Sequence, residues 1–256
     1  MSAERKVSAI LRCLFFPPKC CSCGKLLQEH ILDADPRALC ELCRVKWDYA
    51  KLSVCERCGE ELSRCRCMPQ TLKRAGASVM LKMVSYAKTR DSVPRRCILY
   101  MKKKNSRAVF DYFSGQLAIL LRGYLEETYT AASSILITYV PRGLKNVRRN
   151  GIDQSELLAS GLAKALDCDF ARLLGRRYFS TKEQKHLGKE ARFDNVKGAF
   201  FVGQANLKEL NARYRCIVLV DDVVTTGASL SECVRLLKEA FKGRIICLSL
   251  AQSEKT

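Results

Sequence analysis

Histidine is almost missing from this chain of 256 residues. His30 and His186 are the only two, and neither sits in a partner pattern. No His–Cys arrangement of the kind that activates a nucleophile is present. The chain has no GxxxxGK[ST] loop, which a Walker-type nucleotide site needs, and no GxGxxG, so a dinucleotide fold has no fingerprint. No apolar run approaches the ~20 residues of a membrane span. The most apolar N-terminal piece, residues 10–18 (ILRCLFFPP), is short and lacks a small-residue cleavage site. It reads as a short helix docked on the body rather than a signal peptide, and a cytoplasmic protein is expected. Apart from the cysteine knuckles described below, there is no internal repeat and no low-complexity segment.

Acidic residues are also scarce. Twenty-six Asp and Glu face 45 Lys and Arg, for a formal charge of +19. A balance this basic attracts polyanions, whether nucleic acid or a pyrophosphorylated sugar. Apolar residues make up 48% of the chain, enough for an ordinary core.

Cysteine, by contrast, is abundant. There are 15, and ten of them fall before residue 68. In a reducing compartment such clusters bind metal more often than they form disulfides. Cys20-x-x-Cys23 and Cys40-x-x-Cys43 form one pair of knuckles, and Cys55-x-x-Cys58 and Cys65-x-Cys67 a second. Tetrahedral zinc needs four soft ligands meeting at one point, and two short knuckles deliver them. The expectation is a tandem zinc ribbon with two structural zinc sites. Each filled site lowers the charge by two, leaving about +15. Two alternatives stay open: Cys21 could replace Cys20, and the knuckles could pair in interleaved order. Gly24 and Gly59 follow the second cysteine of their knuckles, where a positive φ would bring backbone N–H groups to the sulfurs. Such a small ribbon has little core, so the metal would supply much of its folding free energy. Cys13, Cys97, Cys168, Cys216, Cys233 and Cys247 lie in apolar or helical surroundings and read as small core residues.

Composition changes near residue 70. A metal module over 1–70 and an α/β domain over 71–256 are expected, the latter a parallel sheet flanked by helices. Val109 to Leu125 reads as a helix, and Ile135 to Val140 as a buried strand. Asp153-x-x-Glu156 has capping-box spacing for a helix to about Leu166, with Leu158, Leu162 and Ala165 inward. Ala199 to Val202 reads as a short strand and Arg244 to Leu250 as the last.

The densest chemistry lies in Ile217-Val218-Leu219-Val220-Asp221-Asp222-Val223-Val224-Thr225-Thr226-Gly227-Ala228-Ser229. Four apolar residues suit a strand covered on both faces. Two carboxylates follow, then a Thr/Gly/Ser turn. Ser229 to Glu232 has capping-box spacing, so a helix should begin near Ser229, with Leu230, Val234, Leu237 and Phe241 on one face. Backbone N–H groups of such a turn cradle a phosphate, and the helix start adds positive dipole. The aspartates beside it can accept hydrogen bonds from sugar hydroxyls. A phosphate plus a diol is a phosphorylated ribose. The competing reading, a Walker-B-like or receiver-like strand end holding Mg²⁺, lacks its companion loop.

Two further segments attract attention. Residues 141–151 (PRGLKNVRRNG) connect the Ile135 strand to the next helix with Arg142, Lys145, Arg148 and Arg149. If that strand neighbours the Asp221 strand, these cations would face a pyrophosphate. Residues 181–198 form a long polar stretch that suits a lid or a partner surface.

The turn at Asp221 resembles the phosphoribosyl-pyrophosphate (PRPP) signature of type I phosphoribosyltransferases. That resemblance implies that Asp221 and Asp222 hold the ribose hydroxyls while Thr225, Thr226, Gly227, Ala228 and Ser229 wrap the 5′-phosphate. The whole chain resembles the competence protein F (ComF) family: paired knuckles, then Gln154, Leu158 and Ala159, then Thr181, Gln184, Leu187, Arg192, Asn195, Gly198, Ala199 and Phe200, then the turn. The family's usual Arg-Gly-Phe-Asn-Gln stands here as Arg149-Asn150-Gly151-Ile152-Asp153-Gln154, without the aromatic and with an extra residue between the Arg and the Gly. The resemblance implies a Mg²⁺-dependent transfer of ribose 5-phosphate from PRPP to a nitrogenous acceptor, with Asp221 and Asp222 positioning the ring and Arg142, Arg148 or Arg149 neutralising the pyrophosphate. It also implies alternatives: a non-catalytic adaptor in DNA uptake that binds single-stranded DNA or a competence helicase, or a PRPP-sensing regulator.

Overall fold

Strands covered on both faces alternate their side chains between two cores, and this sequence supplies apolar residues at both parities. The computed structural model describes residues 17–27, 38–86, 89, 91–143, 147–148, 151–177, 196–203 and 207–253. After the first knuckles come α1 (Glu41–Lys51), the second knuckles, α2 (Gln70–Arg74) and β1 (Val79–Tyr86). Two helices follow, α3 (Val93–Met101) and α4 (Arg107–Glu127), and then β2 (Ile135–Tyr139). The chain continues through α5 (Gln154–Leu166), β3 (Asp169–Phe170), β4 (Leu174–Arg176) and β5 (Phe200–Val202). It closes with α6 (Leu207–Arg213), β6 (Cys216–Val224), α7 (Ala228–Ala240) and β7 (Arg244–Ser253).

Five strands form one sheet in the order β1-β7-β6-β2-β3, parallel at every pairing. Ile217, Val218, Leu219 and Val220 are fully buried, as a central strand requires. One face presents Leu81, Ile137, Val218, Val220 and Leu248 to a core shared with α3, α4 and α5. The other presents Ile217, Leu219, Ile245 and Cys247 to Leu230, Val234 and Leu237 of α7, to Phe241 just after it, and to Leu72 of α2. Parallel sheets covered by helices on both faces are the expected architecture, and the structure has it.

The first knuckles and α1 join the first of these cores. Trp47 of α1 is fully buried, its ring edge-to-face with Phe113 of α4 at 4.8 Å. Cys97, Cys216, Cys233 and Cys247 are buried, as core cysteines should be, and Cys168 is half-buried. Residues 10–16 with Cys13, both histidines and residues 178–195 lie outside the described residues.

Three local expectations change. Ala165 is exposed, and Ala163 takes the inward position beside Leu162 and Leu166. The strand expected over 199–202 is β5, which leaves the main sheet and pairs antiparallel with β4 in a two-stranded ribbon. The helix expected from Ser229 begins at Ala228 with Gly227 as its N-cap. Glu232 does not return to cap it, because its carboxylate accepts from the Gly198 N–H and from Arg235.

Replacing a buried aromatic by alanine removes its transfer free energy and leaves a cavity. Trp47→Ala is expected to lose about 3–5 kcal/mol in urea unfolding followed by far-UV circular dichroism. A loss near zero would show that α1 does not share the main core.

Candidate phosphate and metal sites

β2 and β6 are neighbours in parallel register, Tyr139 opposite Val220, and the Val140 N–H donates to the Val220 carbonyl at 3.0 Å. Both strands therefore end at one rim, where ligands bind in open α/β sheets. Asp221 and Asp222 stand on the last turn of β6 before the loop 225–227. Gly227 has a φ of +78°, a conformation open to glycine at no steric cost. As N-cap it offers α7 no side chain. Beyond the Ala228 N–H, the first-turn N–H groups of α7 are left for an outside acceptor, and the helix dipole favours an anion there. Thr225 is exposed, Thr226 and Ser229 are half-buried, and Ala228 is buried. Thr226 Oγ1 accepts from the Ala228 N–H at 3.4 Å.

The two acids live in different surroundings. Asp221 Oδ1 accepts from Ser155 Oγ at 3.1 Å and from the Asp222 N–H at 2.9 Å. Burial, then the charge of Asp222, pushes the Asp221 carboxyl up to about 8. Asp222 Oδ2 accepts from Arg142 Nη2 at 2.5 Å, with Lys102 Nζ 3.7 Å away. Its Oδ1 accepts from the Val223 N–H at 2.7 Å. Asp222 is thus the neutralised carboxylate of the pair.

Arg142 is held from behind. Its N–H donates to Asp153 Oδ2 at 2.8 Å, while Asp153 Oδ1 accepts from the Ser155 and Glu156 N–H groups. The expected Asp153 cap is therefore real, and it also anchors the Arg-rich loop. Of the other cations in that loop, Arg148 is exposed, and Lys145 and Arg149 lie outside the described residues.

Several residues at this rim escaped the sequence reading. Lys102 opens the run Lys102-Lys103-Lys104, a visible triplet of cations whose proximity to Asp222 is a tertiary fact. Ser155 carries no local signal. Arg176 of β4 lies over the Phe200 ring at 5.1 Å, and a Cβ on Gly143 would sit 3.9 Å from its guanidinium. Burial lowers the Arg176 pKa, and among the described residues no carboxylate pairs with it.

The cysteines gather as two groups. The sulfurs of Cys20, Cys23, Cys40 and Cys43 lie within 4.8 Å of one another, and so do those of Cys55, Cys58, Cys65 and Cys67. Each group could hold a metal ion. The knuckles pair in sequence order and do not interleave. Cys21 turns away, with its thiol 3.6 Å from Cys97 Sγ. Gly24 and Gly59 have φ of +77° and +73°, as their places after the knuckles require. The Cys23 and Cys40 sulfurs are 3.7 Å apart in the first group, and those of Cys58 and Cys65 3.5 Å apart in the second. Ligands 2.3 Å from a tetrahedral ion stand about 3.8 Å apart, so the donor sets fit zinc.

Residues 153–255 match the model of the phosphoribosyl transferase domain. The DNA utilization protein YhgH of Salmonella typhimurium is 30% identical over 218 residues, which covers 78% of this chain and 90% of that protein. The chain belongs to the competence protein F family. Competence protein F of Haemophilus influenzae is 34% identical over 105 residues, 41% of this chain and 44% of its own. YhgH of Escherichia coli K12 is 36% identical over 101 residues, 40% and 42% of the two chains. Among solved structures, an allosteric regulatory enzyme of purine biosynthesis aligns at 17% identity over 56% of this chain and 26% of its own, with a TM-score of 0.32. That likeness is too loose to bear on function. Membership of the ComF family, with its phosphoribosyltransferase-type domain, rests on the YhgH match and the domain match together.

The raised Asp221 carboxyl has a consequence for stability. Its folded value lies above the ordinary one of 3.8, so the folded state keeps a proton that the unfolded chain gives up. Stability from this group falls as pH rises from about 4 to about 8, and the cost is complete above 8. Asp221→Asn is expected to raise the melting temperature at pH 8 and to change it little at pH 4.5. A gain of equal size at both pH values would show that Asp221 is not held protonated.

Proposed function

We propose that this chain binds PRPP and transfers its ribose 5-phosphate to a nitrogenous acceptor, releasing pyrophosphate. One observation carries the reading: a pair of aspartates at a strand end, followed directly by a helix start whose N-cap is a glycine and facing an arginine from the loop after the adjacent strand. In this reading Asp221 and Asp222 accept the ribose hydroxyls. Thr225, Thr226, Gly227, Ala228 and Ser229 hold the 5′-phosphate. Arg142 and Arg149, joined by Lys102, take the pyrophosphate. Pyrophosphate oxygens compete with Asp222 for Arg142, so the ion pair opens as the ligand enters. Mg²⁺ bound with PRPP supplies charge to the pyrophosphate, an oxygen-rich ligand that the ion prefers. The C1–O bond breaks with its electron pair going to pyrophosphate, and the acceptor nitrogen forms the new bond to C1 and gives up a proton. The fixed Asp222 carboxylate beside the electron-poor ribose favours that charge distribution.

The two cysteine groups are proposed as structural zinc sites, since four thiolates leave no open position for chemistry. Residues 1–70 then form a metal module and 71–256 the transfer domain, working in the cytoplasm. The relatives' names and the charge of +19 favour a second reading, a DNA-uptake adaptor for single-stranded DNA or a competence helicase.

Calorimetric titration of the zinc-loaded protein with PRPP and Mg²⁺ separates the two. Binding is expected, and Asp221→Asn with Asp222→Asn together should abolish it. No heat at several temperatures from folded protein would reject PRPP binding and favour the adaptor. Elemental analysis should find two zinc ions per chain, and one after either Cys23→Ser or Cys58→Ser.

A further inference from the structure

Lys82 is an oddity of the main sheet. It sits in β1 among apolar residues and is 1% exposed. Burying an ammonium without an opposing charge costs several kcal/mol. Among the described residues no carboxylate stands within ion-pair distance of it. Its Nζ instead donates to the Cys67 carbonyl at 2.5 Å. Cys67 belongs to the second cysteine group, so the ammonium lies beside those sulfurs. Filled with a divalent ion, the cysteine group would supply the matching charge. Four thiolates around one divalent ion carry a net charge of about −2, and an adjacent ammonium cancels half of it. Four neutral thiols would leave Lys82 unmatched.

The chain leaves this group through Cys67-Met68-Pro69, and that exit is fixed at both ends. Arg57, inside the preceding knuckle, donates to the Met68 carbonyl at 3.1 Å. Pro69, the N-cap of α2, packs on the phosphate turn: a Cβ at Gly227 would lie 3.3 Å from Pro69 Cγ. A contiguous path therefore runs from Lys82 and the second cysteine group through Pro69 to the glycine whose positive φ opens α7.

We propose that the second cysteine group, charge-matched by Lys82, is a positioning device for the phosphate turn: the ion it binds holds Cys67–Pro69 in place, and Pro69 holds Gly227. This rests on the zinc and phosphate readings above and adds that the two are coupled. Losing the second ion loosens ligand binding at a turn that contains none of its ligands.

Two variants of the full chain test it. The probe is ribose 5-phosphate, which needs the turn and the two aspartates but no pyrophosphate contact. Lys82→Met keeps the apolar stem and removes the ammonium. Second-sphere partners of metal ligands commonly carry 10–100-fold of metal affinity, so one of two zinc ions should pass to a chelator at least about tenfold more readily. Ribose 5-phosphate should then bind about tenfold more weakly, which is about 1.4 kcal/mol. Pro69→Ala should keep both ions and still weaken ribose 5-phosphate, which also guards against a Lys82 variant that fails to fold. Unchanged sugar affinity in Pro69→Ala overturns the coupling. Unchanged zinc retention in Lys82→Met overturns the charge match. If the unaltered protein binds two zinc ions but no ribose 5-phosphate, the phosphate reading fails and the coupling with it.

Discussion

The ion pair between Arg142 and Asp222 is the contact on which the arrangement of the rim depends. It joins the end of β2 to the end of β6 across the gap where a ligand would lie. Asp153 holds the Arg142 backbone from one side, and Asp222 holds its guanidinium from the other. Burial keeps Asp221 protonated to higher pH, and the neighbouring Asp222 charge adds to it, because two adjacent carboxylates resist ionising together. Remove the arginine and, among the described residues, the ion pairs on Asp222 reduce to Lys102. Position, charge and proton affinity at the rim are therefore one coupled problem, not three.

What was legible in the sequence was whatever depends on near neighbours in the chain. The strand at Ile217, the acids after it and the glycine turn form one local run, so their order carries their meaning. Cysteine knuckles are equally local, and their pairing in sequence order follows from the short reach of each loop. The cap at Asp153 needed only its own helix. Contacts between distant segments were invisible. Lys82 reads as an ordinary strand residue until the second knuckles are packed beside it, and Arg176 until Gly143 is. Glu232 fits the capping box by spacing, yet Gly198 and Arg235 outcompete the backbone for its carboxylate. Ala165 failed for a plainer reason: the buried face runs through Ser155, Leu158, Ala159, Leu162, Ala163 and Leu166, to one side of the 158–162–165 line, and leaves Ala165 at its margin.

The cysteine-rich segment is not an ornament on the sheet. Its first group shares a core with α3, α4 and α5, where Trp47 meets Phe113. Its second borders the opposite face, through Lys82 and Pro69. The two groups thus grip the sheet from both sides of β1, the strand that leads the domain.

β1 carries a further consequence, one of timing. It lies at the edge of the sheet, and its partner within the sheet is β7, with Val79 opposite Ile246. Every other strand of the sheet is made between the two. During synthesis from the N-terminus, β1 leaves the ribosome with its hydrogen-bonding edge unsatisfied and stays so until the end of the sheet is translated. Non-local parallel pairings of this kind form slowly and leave apolar strands exposed to aggregation. On the zinc reading, the second knuckles, which close over a short loop just before β1, can fold as soon as metal arrives. A cell starved of that metal would thus carry a nascent chain with a long unpaired strand and nothing folded beside it.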